Sequence, residues 1–281
     1  MPLLYDLAIG AYHLSIHCAA PWNTKAAAWV KGREHSWQRL ERKAAELQGC
    51  LWMHCASVGE FEQGRPVLEA IKKERPQLPV LLTFFSPSGY EARKDLALAT
   101  HVEYLPPDGM RHAERLQDLI APRAAIFIKY EFWYHHLHAL RKRGVSAYLV
   151  SAVFRKDQPF FRWYGGAWRR MLGCFTHIFT QDEKSRGLLV GIGVKEATVS
   201  GDTRFDRVAE IAARGEEVPL AAAFKGKGPL LVCGSTWPAD ERLLPDSLSV
   251  LGNDAPKCMV VPHELHEAQL AEIEKSLSKP L

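Results

Sequence analysis

The chain is 281 residues long, 47% hydrophobic and 24% charged, with a formal net charge of +4. That size buries a sizeable core in one large or two ordinary domains, and the charge balance excludes a chain that is nucleic-acid-like throughout. Six cysteines (Cys18, Cys50, Cys55, Cys174, Cys233 and Cys258) form no Cys-x-x-Cys pair, which argues against a metal cage or disulfide framework and for reduced thiols in a cytosolic compartment.

From the N-terminus, Leu3 to Ala19 is largely apolar, with Asp6, Gly10, His13 and His17 recurring at spacings of 4, 3 and 4. On a helix these four fall along one polar stripe and leave the remaining surface greasy. Seventeen residues is at the short limit for a membrane span, which takes roughly 20. No basic segment precedes the run and no cleavage pattern follows it, so a signal peptide is not expected. Pro21 ends the helix, and Lys25, Lys31, Arg33, Arg39, Arg42 and Lys43 follow closely. That places positive charge on the cytoplasmic side of any membrane contact. Two readings stand for residues 1–22: the buried first helix of a soluble domain, or a monotopic membrane-associated helix, which is favoured.

Beyond residue 50, strand-like apolar runs occur at Leu51–Cys55, Val80–Phe84, Ala125–Ile128, Ala147–Val150, Ile178–Thr180 and Thr198–Ser200. Amphipathic stretches such as Phe61–Glu74 and Phe132–Arg143 lie between them. This alternation predicts an α/β domain over 23–214 with a parallel sheet covered on both faces. Residues 215–229 change to Ala, Glu, Lys and Gly and read as a linker. Strands at Leu230–Cys233 and Cys258–Val261 and a helix at His266–Ser278 begin a second α/β domain over 230–281, incomplete at two strands.

Ligands of open parallel sheets bind on the loops at the strand carboxyl ends. After the first strand, Ser57 can cap a helix, Gly59 permits close backbone approach, and Glu60 sits in the first turn. Glu60 is either a catalytic carboxylate or the acidic member of a capping box. Ser86 and Ser88, within Phe85-Ser86-Pro87-Ser88-Gly89, offer an anion site or a plain capped turn. Glu131, among Lys129, Tyr130, Phe132 and Trp133, is either functional or one half of a Lys129–Glu131 pair. Between Ser151 and Arg170, six aromatic residues interleave with five basic ones, suiting a membrane interface and a phosphorylated lipid head group or else ordinary packing. Arg204, in Gly201-Asp202-Thr203-Arg204-Phe205-Asp206, can meet a departing phosphate or belong to a local charge cluster. In the second domain, Gly234-Ser235-Thr236 forms a small-residue loop suited to phosphate or ribose, and His263 and Glu264 follow the next strand. A zinc site there lacks a third ligand.

In this order the loops resemble the 3-deoxy-D-manno-octulosonic acid (Kdo) transferase family of lipopolysaccharide biosynthesis. The most specific part is His54-Cys55-Ala56-Ser57-Val58-Gly59-Glu60, similar to that family's His-Ala-Ala-Ser-x-Gly-Glu signature. Phe84 to Gly89, Glu131-Phe132-Trp133 and Gly201 to Asp206 fall where further family motifs are expected. The resemblance implies a GT-B fold of two Rossmann-like domains, one binding the acceptor and one the donor. It implies Kdo transfer from CMP-Kdo to lipid IVA at the cytoplasmic face of a Gram-negative inner membrane. By the same resemblance Glu60 is the base, Glu131 and Arg204 stabilise the transition state, and His263 and Glu264 contact CMP. No cofactor, no metal and no nucleic-acid partner is implied.

Where the family commonly has Pro-Arg-His this chain has Pro262-His263-Glu264, and Arg204 stands where many members carry lysine. The family's later glycine-rich segment and its Asn-x-x-Glu fall beyond Leu281, so truncation is expected. The expected chemistry is an inverting single displacement, with no covalent intermediate. Arg204 and helix-start N–H groups would meet the phosphate charge without a metal. Competing readings are another GT-B sugar-nucleotide enzyme and a catalytically silent, membrane-docked lipid-binding module.

Overall fold

The computed structural model describes residues 2–263 and 265–277, and the chain divides into two compact units, Met1–Ala213 and Arg214–Leu281. The first unit is built on seven parallel strands among the described residues. They are β1 (Leu51–Cys55), β2 (Val80–Phe84), β3 (His101–Tyr104), β4 (Ala124–Ile128), β5 (Ser146–Ala152), β6 (His177–Thr180) and β7 (Ala197–Val199). Their order is β3-β2-β1-β4-β5-β6-β7. The chain thus builds outward from β1 on one side, then returns to place β4 on the other. Strand order reverses between β1 and β4, and a ligand crevice opens beyond the carboxyl ends of strands so related.

Helices α1 (Pro2–Ala19), α2 (Thr24–Arg33), α3 (Ser36–Arg42) and α4 (Ala44–Leu47) precede the sheet. The crossovers carry α5 (Val58–Glu74), α6 (Pro87–Arg93), α7 (Met110–Ile120), α8 (Tyr134–Lys142), α9 (Gly166–Leu172) and α10 (Glu183–Gly191), and α11 (Thr203–Arg214) follows β7. Strand β1 is buried along its whole length, its side chains alternating between two cores. Met53 and Cys55 pack with Phe61, Leu82 and Ile128 on one face. Trp52 packs with Phe127, Leu137 and Leu149 on the other. A Cβ at Gly64 of α5 would come within 3.0 Å of the Ile128 side chain and 3.3 Å of Met53 Sδ, so glycine lets this helix settle onto the sheet.

Strand β3 was not expected from its sequence, because His101 and Glu103 interrupt the apolar run that marks a buried strand. Glu103 is nevertheless fully buried: Arg39 of α3 grips it through Nε at 2.8 Å and Nη2 at 2.7 Å. Burial alone would raise this carboxyl, but hydrogen bonds from His101, Arg39 and the Tyr104 N–H outweigh it and hold it below the usual carboxylate range.

Helix α1 rests on the domain through the half-buried Tyr5, Ile9, His13 and Ile16, while Asp6, Gly10 and His17 of its polar stripe stay exposed. Tyr5 donates to Asp108, Asp6 Oδ1 lies 2.5 Å from His135 Nε2, and the rings of His13 and His17 face Trp29. The apolar residues Leu3, Leu4, Leu7 and Leu14 point outward, each between 61% and 71% exposed. No described helix is long and apolar enough to cross a membrane.

The second unit, taken by itself, contains a two-stranded parallel sheet of β8 (Leu230–Thr236) and β9 (Lys257–Pro262) among its described residues. Helices α12 (Pro219–Lys225), α13 (Pro238–Glu241), α14 (Leu244–Leu251) and α15 (Glu267–Leu277) accompany it. The stretch read as a linker therefore carries a helix, α12. Its opening proline supplies a preset φ and its three alanines have the highest helix propensity.

Replacing Arg39 by methionine strands a buried carboxylate and is expected to cost about 3 kcal/mol in denaturant unfolding at pH 7. Because the folded Glu103 value is depressed, that loss should shrink as pH falls below about 4.3 and through the folded value. A cost that stays constant down to acid would remove Glu103 as its source.

Candidate functional site

Three loops meet at the reversal point. The β1 loop is fixed first: Ser57 caps α5, accepting from the Glu60 N–H at 3.4 Å, while the Glu60 carboxylate folds back to accept from the Ala56 N–H at 2.6 Å. Glu60 therefore performs a capping role as well as standing at the mouth of the sheet. The β2 loop is tied to it by the Ser86 N–H, which donates to the Ala56 carbonyl at 2.8 Å. Ser86 caps α6 through the Gly89 N–H at 3.0 Å, and Ser88 Oγ lies 3.3 Å from Ser86 Oγ. Glycine is required at 89, where a Cβ would come within 2.6 Å of the Phe84 ring.

The β4 loop brings the second carboxylate. Lys129 takes a left-handed backbone at φ +69, an arrangement that costs a non-glycine residue on the order of 1 kcal/mol. The chain thereby turns Glu131 back toward β1, where it is 6% exposed. Its Oε2 receives the Trp133 indole N–H at 2.6 Å and lies 2.9 Å from His54 Nε2. Among the described residues its ionic partner is thus His54 and not Lys129. His54 is fully buried in β1, its other nitrogen facing Thr83.

These groups govern one another's charge. Burial first, and then the Glu131 charge, push the Glu60 carboxyl up to about 7, against the lowering effects of the Ala56 N–H, His54 and Lys129. A carboxyl poised near neutrality beside a second carboxylate is the setting in which one of the two exchanges protons at working pH. The neighbouring Cys55 thiol is pushed well above its usual value, chiefly by burial, and is inert packing.

Arg204 lies in the same unit, after a turn made by Gly201 at φ +82. Its guanidinium is paired with Asp202, with Nε at 2.8 Å from Oδ2, and its side chain remains 58% exposed. Hydrogen bonding to Arg204 holds the Asp202 carboxyl below its ordinary value. The local charge cluster is therefore formed, between Asp202 and Arg204, and the guanidinium still reaches solvent.

In the second unit, Gly234, Ser235 and Thr236 close β8, with Ser235 left-handed at φ +58. The Ser235 hydroxyl lies 2.7 Å from His263 Nδ1, and Trp237 stacks on the His263 ring at 4.5 Å. Thr236 turns away from that group and donates to the buried Glu241 at 2.9 Å. Glu264 lies outside the described residues.

The model of the family described as 3-deoxy-D-manno-octulosonic-acid transferase (kdotransferase) matches residues 33–207. A 3-deoxy-D-manno-octulosonic acid transferase of Aquifex aeolicus is 37% identical over 232 residues, covering 80% of this chain and 58% of the relative. One from Bordetella pertussis is 26% identical over 219 residues, covering 75% and 50%. The chain thus spans about half the length of the curated relatives it matches. Among solved structures, a UDP-GlcNAc 2-epimerase from Neisseria meningitidis superposes with a TM-score of 0.59 at 13% identity, over 81% of this chain and 69% of the other. That likeness shows the fold, an α/β parallel-sheet architecture of GT-B type.

The raised Glu60 value carries a stability signature. A group whose folded value is raised stabilises fully below its unfolded value, about 4.3, and loses that contribution as pH rises through about 7. Relative to Glu60→Gln, the wild type should lose roughly 1–2 kcal/mol between pH 4.5 and 8, allowing for partial exposure. Denaturant unfolding of both proteins at the two pH values measures it, and an identical gap at both would contradict the raised value.

Proposed function

This chain belongs to the Kdo transferase family, and from that premise we propose that it moves Kdo from CMP-Kdo onto lipid IVA with release of CMP. Glu60 takes the proton from an acceptor hydroxyl while that oxygen attacks the anomeric carbon of Kdo. The bond from that carbon to the phosphate oxygen breaks with its electron pair, and CMP departs. One displacement inverts the anomeric centre. The observation that carries this reading is the position and state of Glu60: at the strand-order reversal and pushed up to about 7. A base must be ionised to a useful extent at working pH yet basic enough to accept a proton, and a carboxyl about half ionised near neutrality meets both demands.

Glu131 lies beside this base with fixed orientation and suits positive charge developing on the sugar ring in an oxocarbenium-like transition state. Arg204, already paired and solvent-facing, suits the leaving phosphate once that anion competes with Asp202. Ser86 and Ser88 border the acceptor side of the crevice. Gly234, Ser235, Thr236, His263 and Glu264 are assigned to CMP.

The membrane contact is supported by the outward apolar face of α1. Leucines exposed along a helix carry a cost in water, which insertion into a lipid interface removes. Trp163, 92% exposed, adds an aromatic anchor beside Arg155, Lys156, Arg162 and Arg170. Contact with the cytoplasmic face of the inner membrane follows from the acceptor's own location.

Transfer of Kdo from CMP-Kdo to lipid IVA by the protein carrying this chain tests the reaction. Glu60→Gln is expected to lower the rate at least a hundredfold while the protein remains folded. Turnover of a UDP-sugar in its place would point to the other GT-B reading. Flotation with anionic liposomes tests the interface: Leu4→Glu with Leu7→Glu should reduce the bound fraction severalfold. Equal binding by both proteins would remove α1 from the contact.

A further inference from the structure

The proton inventory around His54 has a further consequence. Its Nδ1 lies 3.1 Å from the Thr83 carbonyl oxygen, which only accepts, and 2.9 Å from Thr83 Oγ1. That hydroxyl already accepts the Trp52 indole N–H at 2.9 Å and has the Met53 carbonyl at 3.4 Å for its own proton. A bare lone pair on Nδ1 would face the carbonyl oxygen repulsively, so Nδ1 carries a proton. On the other side Nε2 meets Glu131 Oε2 at 2.9 Å, a distance that requires one proton between them. Whichever atom holds that proton, imidazole and carboxyl together carry no net charge.

We infer that His54 and Glu131 share one proton as a neutral unit, and that His54 is thereby a positioning residue for the Glu131 carboxyl. His54 holds Glu131 from β1, a strand buried along its length and paired on both sides. Through Glu131 it sets the field at Glu60. The Trp133 N–H donates to the same oxygen at 2.6 Å and gives the carboxyl a second hold. The charged and titratable groups facing the unit are Glu60 from α5, Lys129 from the β4 loop, Cys55 from β1 and His136 from α8. The inference takes its catalytic meaning from the proposed base role of Glu60, but its test needs no turnover.

The test is NMR on the whole chain, with 15N-labelled histidine and 13C-carboxyl-labelled glutamate. At pH 7 the His54 Nδ1 signal is expected to be that of a protonated nitrogen, and one carboxyl of the Glu60–Glu131 pair should titrate between pH 5 and 8. In His54→Gln the amide cannot supply a charge, so the two carboxyls together should hold about one more proton near pH 7. Thr83→Val keeps the backbone carbonyl and removes only the hydroxyl. It should lower stability while leaving the carboxyl titration within about 0.3 pH units of wild type. An unprotonated Nδ1 in wild type overturns the inference, as does a carboxyl titration that His54→Gln leaves unmoved. Should His54→Gln fail to fold, the wild-type nitrogen signal and Thr83→Val decide it alone. Inactive protein with these signals intact would sink the transferase reading and spare this one.

Discussion

Two carboxylates placed within each other's field in a half-buried crevice repel, and the arrangement of the first unit answers that repulsion. Strand-order reversal between β1 and β4 sends the following loops to opposite sides of one opening, which is how Glu60 and Glu131 come to face it together. Their environments then diverge. Glu131 is clasped by a buried imidazole and an indole N–H. Glu60 has a single backbone donor and is pushed up to about 7. Divergent surroundings for paired carboxyls are the usual physical basis for giving one of them a proton-transfer role. The backbone supports this placement with a left-handed residue at Lys129, immediately after β4.

The same unit answers a second demand through α1. Tyr5, Asp6 and His13 tie it to the domain, and its leucines are left exposed. An amphipathic helix in a soluble domain buries its apolar face. In α1 the exposed leucines point outward from the domain that carries the crevice.

Much of this was legible from the residues. Strands β1, β2, β4, β5, β6 and β7 sit within a residue or two of the predicted apolar runs, since a parallel sheet covered on both faces demands continuous apolar segments. The loops predicted to gather Glu60, Ser86 and Glu131 do so, because carboxyl-end loops of adjacent parallel strands are neighbours by construction. What escaped were charges made tolerable by distant partners. Glu103 is acceptable in β3 only because Arg39, far away in sequence, reaches it. For Glu131 the sequence leaves open a functional role or a pair with Lys129, and its ionic partner is His54, which a linear reading places merely as the first letter of a signature. Strand pairing supplies such contacts, and a single sequence does not display them. The helix α12 was lost for a humbler reason: an alanine-rich segment has little apolar period, yet alanine is the best helix former.

The central claim is that Glu60, at a value raised to about 7, is the group that accepts the proton. The pH dependence of kcat/KM for Kdo transfer tests it most directly, since that profile reports the free enzyme's essential base. The account predicts a rate that rises tenfold per pH unit below a single inflection near 7 and levels above it. A rate already level from pH 5 upward would mean that the base titrates as an ordinary carboxylate, and would contradict the account.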